Sequence, residues 1–561
     1  PGSPSGPYAD LAGRRTAEGT AGMVTAAHPL AARAGKTMLE RGGSAVDAAL
    51  AVQFALNVVE PQSSGIGGGG FLLRYDGEAR RITAHDGREE APSAATPELF
   101  LRDDGTPMDF WNAVIGGRSV GVPGLLRMLR DVHRRHGELP WATLLQPAIR
   151  LAREGFPVSP RLHRLLAEDE DLRADPNARE IFYTGEGTAL PVGATLRNPE
   201  LAETLETIAE NGVAPFYEGD IARAIVARVR TAERGEGTLR RRDLARYEAE
   251  RREPLCRPAL DRVVCGHPPP TSGGLTVLQI LGILDGITEM QVTASRPAFI
   301  HHLMEASRLA FADRNRYVGD PAFVDVPTRR LLSDRYLIQR AGAIRPDGSL
   351  GETEPGLLTR RAAAPDGPGG RSTTHLTVRD ADGNAVSMTS SIEQAFGSHV
   401  MVEGFLLNNQ LTDFAFRPSV DGRPVANRVQ PGKRPMSSMA PTMVVDEDGR
   451  LRLALGSPGG PRIIGYVAQR IADIRLNERG LAGAIGAPSA INRNGPTVLE
   501  AGGGWDGMAA ALRQRGHAVE TDPMTSGLHG LRVWPDGRVQ GAADPRREGV
   551  AIAVPTQGDR P

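Results

Sequence analysis

Lysine is almost absent from this 561-residue chain: Lys36 and Lys433 stand alone among the basic residues, and all the others are arginine. With Ala and Gly abundant, that skew matches the codon usage of a GC-rich genome rather than phosphate recognition. Net charge is missing too. Lys and Arg total 66 against 67 Asp and Glu, a formal charge of −1, so no bulk field draws the chain to nucleic acid or an anionic membrane. No stretch reaches the roughly 18 apolar residues that a bilayer-spanning helix needs. Two cysteines, Cys256 and Cys265, exclude a disulfide framework and a four-cysteine zinc site. With His267 nearby they could be drawn as a partial metal site. The simpler expectation is two isolated thiols around a strand, and no metal. The chain opens Pro1-Gly2-Ser3-Pro4 without a basic-then-apolar leader. That favours the cytoplasm, with periplasm or secretion the alternative if a leader was removed earlier.

Periodicity is what the chain does offer. Ser44 is placed to cap a helix carrying Val46, Leu50 and Phe54 at four-residue spacing. A second helix is predicted from about Pro297, with Ile300, Leu303, Met304, Ser307 and Phe311 on one face. Its His301–His302 pair points about 100° apart, so both rings cannot meet one ligand, and they are read as structural. Later the pattern turns to alternation. Leu376–Ile392 alternates about Asp382-Gly383, Thr442–Leu455 about Asp448-Gly449 and Leu531–Gln540 about Asp536-Gly537, three hairpin signals. An α+β chain of sheets covered by helices is expected, in two parts: a helix-rich 1–372 and a strand-rich 373–561. Residues 361–372 hold two Pro and three Gly and read as a mobile linker. It runs straight into Thr373-Thr374-His375, which makes the Ser372–Thr373 bond a candidate processing site.

Two glycine clusters need separating. Ser64–Gly70 precedes a strand at 71–75, whereas a dinucleotide loop follows a strand and opens a helix, so it does not read as a phosphate site. Gly456–Gly460 follows a strand at 451–455 and leads into a helix opened by Pro461. Gly459 and Gly460 can there turn backbone N–H groups toward an anion, helped by the helix dipole, as an oxyanion hole requires. A plain tight turn fits the same residues.

Thr373-Thr-His-Leu-Thr-Val378, Gly383-Asn384, Val386-Ser387, Thr389, Ser391-Ile-Glu393 and Phe396-Gly397 together resemble the signature of the gamma-glutamyltransferase family of N-terminal-nucleophile hydrolases. Further blocks follow in family order. They include Ser64–Gly70, Gly87-Arg88-Glu89, Gln146-Pro147-Ala148, Ser272-Gly-Gly274, Ala312-Asp313-Arg314, Leu406–Gln410 with Asp413, Arg434-Pro435 with Ser437-Ser438-Met439, and Gly456–Gly460. The resemblance implies a four-layer αββα sandwich built by both fragments of a self-cleaved precursor, acting as a heterodimer without a cofactor.

The chemistry stands beside that resemblance. An internal Thr has only an amide nitrogen, which is not basic. Cleavage at Ser372–Thr373 would give Thr373 an α-amine of ordinary pKa about 7.7–8.0, a base beside its own nucleophilic hydroxyl. By resemblance, Ser391 fills the slot of a second threonine and holds that amine, while Gly459 and Gly460 supply the oxyanion N–H groups. Arg88, Ser437 and Ser438 would bind a substrate α-carboxylate, and Glu393, Gln410 and Asp413 an α-ammonium. Glu393 stands where many members have asparagine. The expected reaction is hydrolysis of γ-glutamyl amides such as glutathione, with water or an amine or peptide as acceptor. The loop 414–436 has 23 residues, shorter than in members with a lid over the site, which favours hydrolysis over transfer. A cephalosporin-type acylase and a biosynthetic hydrolase of a specialised metabolite are the enzymatic alternatives. An uncleaved binding protein is the non-enzymatic one, against which the intact Thr373, Gly459 and Gly460 speak.

Overall fold

All three Asp-Gly turns close antiparallel hairpins, as the alternation predicts. The computed structural model describes residues 6–358, 372–505 and 507–555; the linker expected at 361–372 lies outside them except for Ser372. The strands of the two large sheets are β1 (Thr16–Gly19), β2 (Gly22–Ala26), β3 (Gly69–Asp76), β4 (Arg81–Gly87), β5 (Glu250–Arg252), β6 (Leu255–Ala259) and β7 (Arg262–Gly266). They continue with β8 (Thr374–Arg379), β9 (Ala385–Ser391), β10 (Thr442–Val445), β11 (Leu451–Gly456), β12 (His529–Val533), β13 (Val539–Ala543) and β14 (Val550–Val554). One sheet runs β14-β2-β8-β9-β3-β4-β5 and the other β1-β13-β12-β11-β10-β7-β6.

Helices cover both outer faces. Against the first sheet lie α1 (Pro29–Glu40) and α2 (Ala45–Val59), whose side chains join those of β2, β8 and β9 in one apolar core. Ser44 caps α2 through a capping box with Asp47, and all fifteen residues of α2 are buried. On the second sheet pack α3 (Gly273–Asp285), α4 (Arg296–Tyr317) and α5 (Arg462–Leu476). Between the sheets, Met23, Leu73, Tyr75, Met443, Ala454 and Leu531 form a third core. The result is the αββα sandwich. Among the described residues, no helix is long and apolar enough to cross a membrane.

Strand is denser after residue 372 and helix before it, yet both large sheets mix the two parts: β1–β7 precede residue 372 and β8–β14 follow it. A chain cut at 372/373 therefore stays one body, because each sheet is hydrogen-bonded across the cut. One expectation changes: the cysteines are not isolated thiols. Cys256 on β6 stands directly opposite Cys265 on β7, and the two form a disulfide with S–S 2.10 Å. Spacing alone hid this, since it depends on the register of a hairpin with no Asp-Gly or Asn-Gly turn. His267 takes no part; its ring lies against Phe71.

The sheets approach each other tightly beneath the site. A Cβ added to Gly456 would lie 2.2 Å from Cε1 of His375, whose Nδ1 is 2.8 Å from Thr389 Oγ1. Gly456→Ala must displace a fully buried ring. It is expected to destabilise the protein by about 1–3 kcal/mol in urea denaturation; an unchanged midpoint would contradict this packing.

Candidate active site

The register of β8 on β9 pairs Thr374 with Ser390, which sets Thr373 beside Ser391 at one end of the hairpin. Their hydroxyl oxygens are 3.2 Å apart. The Ser391 hydroxyl donates to the Ser372 carbonyl at 3.0 Å. Its single proton is thus spent, so the Thr373 hydroxyl donates to Ser391 Oγ. Ser391 Oγ also accepts from the Glu393 N–H at 2.8 Å. Glu393 has a left-handed φ of 82°, a conformation uncommon outside glycine, and turns the chain out of β9. Gly68 packs its backbone so closely that a Cβ there would meet the Ser391 carbonyl at 2.2 Å. The Ser64–Gly70 cluster thus serves close backbone packing under the site.

A cavity of about 310 Å³ opens over this pair. It brings together eight of the ten residues expected from the sequence: Thr373, Ser391, Glu393, Gln410, Asp413, Ser437, Ser438 and Gly460. Gly459 lies just behind, over the Tyr466 ring. Gly459 and Gly460 have φ of 133° and 58°, and among the described residues neither amide donates to a protein acceptor. Pro461 sits at the cap of α5 rather than inside it.

Arg88 is the residue whose expected position changes. Its guanidinium is fully buried and does not border the cavity. Nε donates to the Pro435 carbonyl at 3.0 Å, Nη2 to Asp413 Oδ2 at 2.5 Å and Nη1 to Glu89 Oε2 at 3.3 Å. Two neighbouring carboxylates draw the cation inward, so in this structure Arg88 braces Asp413 from behind rather than meeting a carboxylate directly. Burial pushes the Glu89 carboxyl up against the pull of Arg88, and the shorter contact of the guanidinium is the one to Asp413. Gln410 Oε1 is buried with no hydrogen-bond partner among the described residues, an acceptor left for a ligand. Ser437 Oγ accepts from the Met439 N–H at 3.1 Å, leaving its proton to donate.

The apolar wall of the cavity has no counterpart among the sequence motifs. Met108 and Phe110 join Phe414, Phe416 and Met436 around the cavity, with Phe110 and Phe416 stacked 6.2 Å apart. The 107–110 segment carries no motif or periodicity, so only the fold reveals it. A second surprise concerns His301, which meets Glu305 and His517 in a buried group of metal-ligating type. Its atoms are already engaged. His301 Nε2 donates to the Arg345 carbonyl at 2.7 Å, which leaves Nδ1 to accept from His517 Nε2 at 2.8 Å. Glu305 accepts from Ser349, Leu350 and Arg308. The group closes on itself as a hydrogen-bond network.

An αββα sandwich with a hydroxyl side chain at the head of a central strand is the architecture of the N-terminal-nucleophile hydrolases. Cephalosporin acylase from Bacillus halodurans matches it with a TM-score of 0.83 at 29% identity, over 96% of this chain and 97% of that one. The sequence profile of gamma-glutamyltranspeptidase matches residues 31–554, and the chain belongs to that family. It is 36% identical over 549 residues to the glutathione hydrolase proenzyme of Bacillus subtilis (strain 168), covering 96% of this chain and 92% of the relative. It is also 36% identical over 550 residues to the acylase ACY 1 proenzyme of Pseudomonas sp. (strain SE83), covering 96% and 95%.

Glu60 lies beside Thr373, against the next residue of the chain. The Thr374 hydroxyl donates to Glu60 Oε2 at 2.9 Å. Burial pushes Glu60 up from 4.5 to about 7, with Arg161 and Arg547 pulling the other way. Between those values the folded protein holds a proton that the unfolded chain has lost, so this group's contribution to stability falls as pH rises through that window and is level above it. Glu60→Gln removes the effect. The stability of the variant relative to wild type should therefore increase between pH 5 and pH 8, by an amount on the order of 3 kcal/mol. Denaturation at the two pH values checks this; a constant difference would contradict it.

Proposed function

We propose that Thr373 is the nucleophile of a self-cleaving γ-glutamyl amide hydrolase, and that cleavage after Ser372 creates its catalytic base. The observation that carries this reading is the chain Thr373 Oγ1–H to Ser391 Oγ, and Ser391 Oγ–H to the Ser372 carbonyl, at 3.2 and 3.0 Å. In self-cleavage, Thr373 Oγ1 attacks the Ser372 carbonyl carbon while Ser391 donates to the oxygen that becomes negative. The hydroxyl proton ends on the departing amide nitrogen, and water resolves the ester to a Ser372 carboxylate and a free Thr373 amine. In turnover that amine accepts the hydroxyl proton as Oγ1 attacks the γ-carbonyl. The N–H groups of Gly459 and Gly460 take the oxyanion, the leaving amine receives the proton, and water releases glutamate.

Selection for a free amino-acid head rests on charge. Asp413, Glu393 and Gln410 Oε1 accept the α-ammonium, while Ser437 and Ser438 donate to the α-carboxylate. Arg88 acts on the ammonium side, by bracing Asp413 from behind. An acylase side chain without an ammonium has no use for these acids, which favours the γ-glutamyl reading over the acylase one. The 23-residue segment 414–436 lies as a wall, with Phe414, Phe416 and Val420 facing the cavity. It leaves the acyl-enzyme open to water, so hydrolysis is favoured over transfer. The Cys256–Cys265 disulfide supports an oxidising compartment over the reducing cytoplasm.

Purified protein should separate into fragments of 372 and 189 residues, the smaller beginning Thr-Thr-His-Leu by Edman sequencing. Thr373→Ala should remain one chain and be inactive; full activity in an intact chain would overturn the mechanism. Asp413→Asn should cost about 2–5 kcal/mol on γ-glutamyl anilides while sparing glutaryl anilides, read as kcat/KM. A wild type that already hydrolyses both equally well would favour the acylase reading.

A further inference from the structure

Arg314 lies near the C-terminal end of α4, almost wholly buried, and its edge borders the cavity. No step above uses it. Its Nη2 donates to Ser438 Oγ at 2.9 Å and its Nε to Ser272 Oγ at 2.8 Å. A guanidinium has donors and no acceptor, so Ser438 Oγ is fixed as an acceptor and its own proton must point elsewhere. Among the described residues no acceptor takes that proton. Ser438 is half-buried at the cavity wall, so its hydroxyl is committed to an oxygen arriving there.

The same guanidinium reaches Ser437 through Ser272. Having accepted from Arg314, the Ser272 hydroxyl donates to the Ser437 carbonyl at 2.6 Å, and the Ser272 N–H donates to the same oxygen at 2.8 Å. One buried cation therefore ties down both serines, one through its hydroxyl and the other through its backbone.

We propose that Arg314 is a positioning residue for the substrate's α-carboxylate: it turns Ser438 into a dedicated hydrogen-bond donor and holds Ser437 in register beside it. This rests on the γ-glutamyl reading and deepens it, because it makes the carboxylate, and not only the ammonium, a condition of tight binding. Without Arg314 the Ser438 hydroxyl rotates freely and meets an anion with no more preference than it meets water.

Two anilides separate the effects: γ-glutamyl-p-nitroanilide, and 4-aminobutanoyl-p-nitroanilide, which keeps the ammonium and lacks the carboxylate. For Arg314→Gln the KM of the first should rise roughly 10- to 100-fold, the scale of a lost hydrogen bond to a charged group, with kcat nearly unchanged. The kcat/KM of the second should stay at the wild-type value. Ser438→Ala should reproduce the rise, and the double variant should be no worse than Ser438→Ala alone. Arg314→Lys, which keeps the charge and a donor, should recover part of the loss. Equal losses on both substrates, or additive losses in the double variant, would overturn the proposal. So would failure of both Arg314 variants to yield soluble, self-cleaved protein, which would make the residue structural. A self-cleaved wild type that turns over neither anilide would instead overturn the γ-glutamyl reading on which the proposal stands.

Discussion

Everything at the site hangs from the antiparallel register of β8 against β9. Side chains alternate faces along a strand, so a slip of one residue would send Ser391 to the opposite face and leave Thr373 without its partner. The register is held on both sides, by β2 next to β8 and β3 next to β9. It is held from below by the glycine run at 67–70, which lets β3 approach the Ser391 carbonyl. Because β2 and β3 precede residue 372 and β8 and β9 follow it, the interstrand bonds that place Thr373 also join the two parts of the chain.

Charge is arranged by burial rather than by number. The chain is nearly neutral, yet around the cavity a buried arginine backs Asp413 while burial raises the Glu89 carboxyl above its ordinary range. The acids Glu393 and Asp413 and the serines Ser437 and Ser438 line one cavity. The arrangement suits a zwitterion, and it separates two readings that sequence similarity leaves level. A glutathione hydrolase proenzyme and an acylase proenzyme are each 36% identical to this chain, so the distinction rests on a few side chains and not on overall likeness.

Much of this was legible from the sequence, for local reasons. Asp-Gly turns, the Ser44 cap and the Gly459-Gly460 pair are short-range signals whose geometry is set by neighbouring residues. The ten candidate site residues come from motif resemblance, and eight of them do meet at the cavity. What stayed hidden depends on contacts distant in sequence. Arg88 pairs with Asp413 across 325 positions, the apolar wall joins 107–110 to 414–436, and His301 meets His517 across 216. The Cys256–Cys265 pair was missed although only nine positions separate the two residues, because its hairpin lacks the turn residues that would have declared its register.

Rapid quenching of wild-type protein during turnover of a γ-glutamyl anilide, followed by mass spectrometry of its peptides, tests the central claim most directly. A γ-glutamyl ester on the peptide that begins at Thr373, and on no other, is the predicted result. An adduct on a different residue, or product formation with no adduct while Thr373 remains inside an uncut chain, would contradict it.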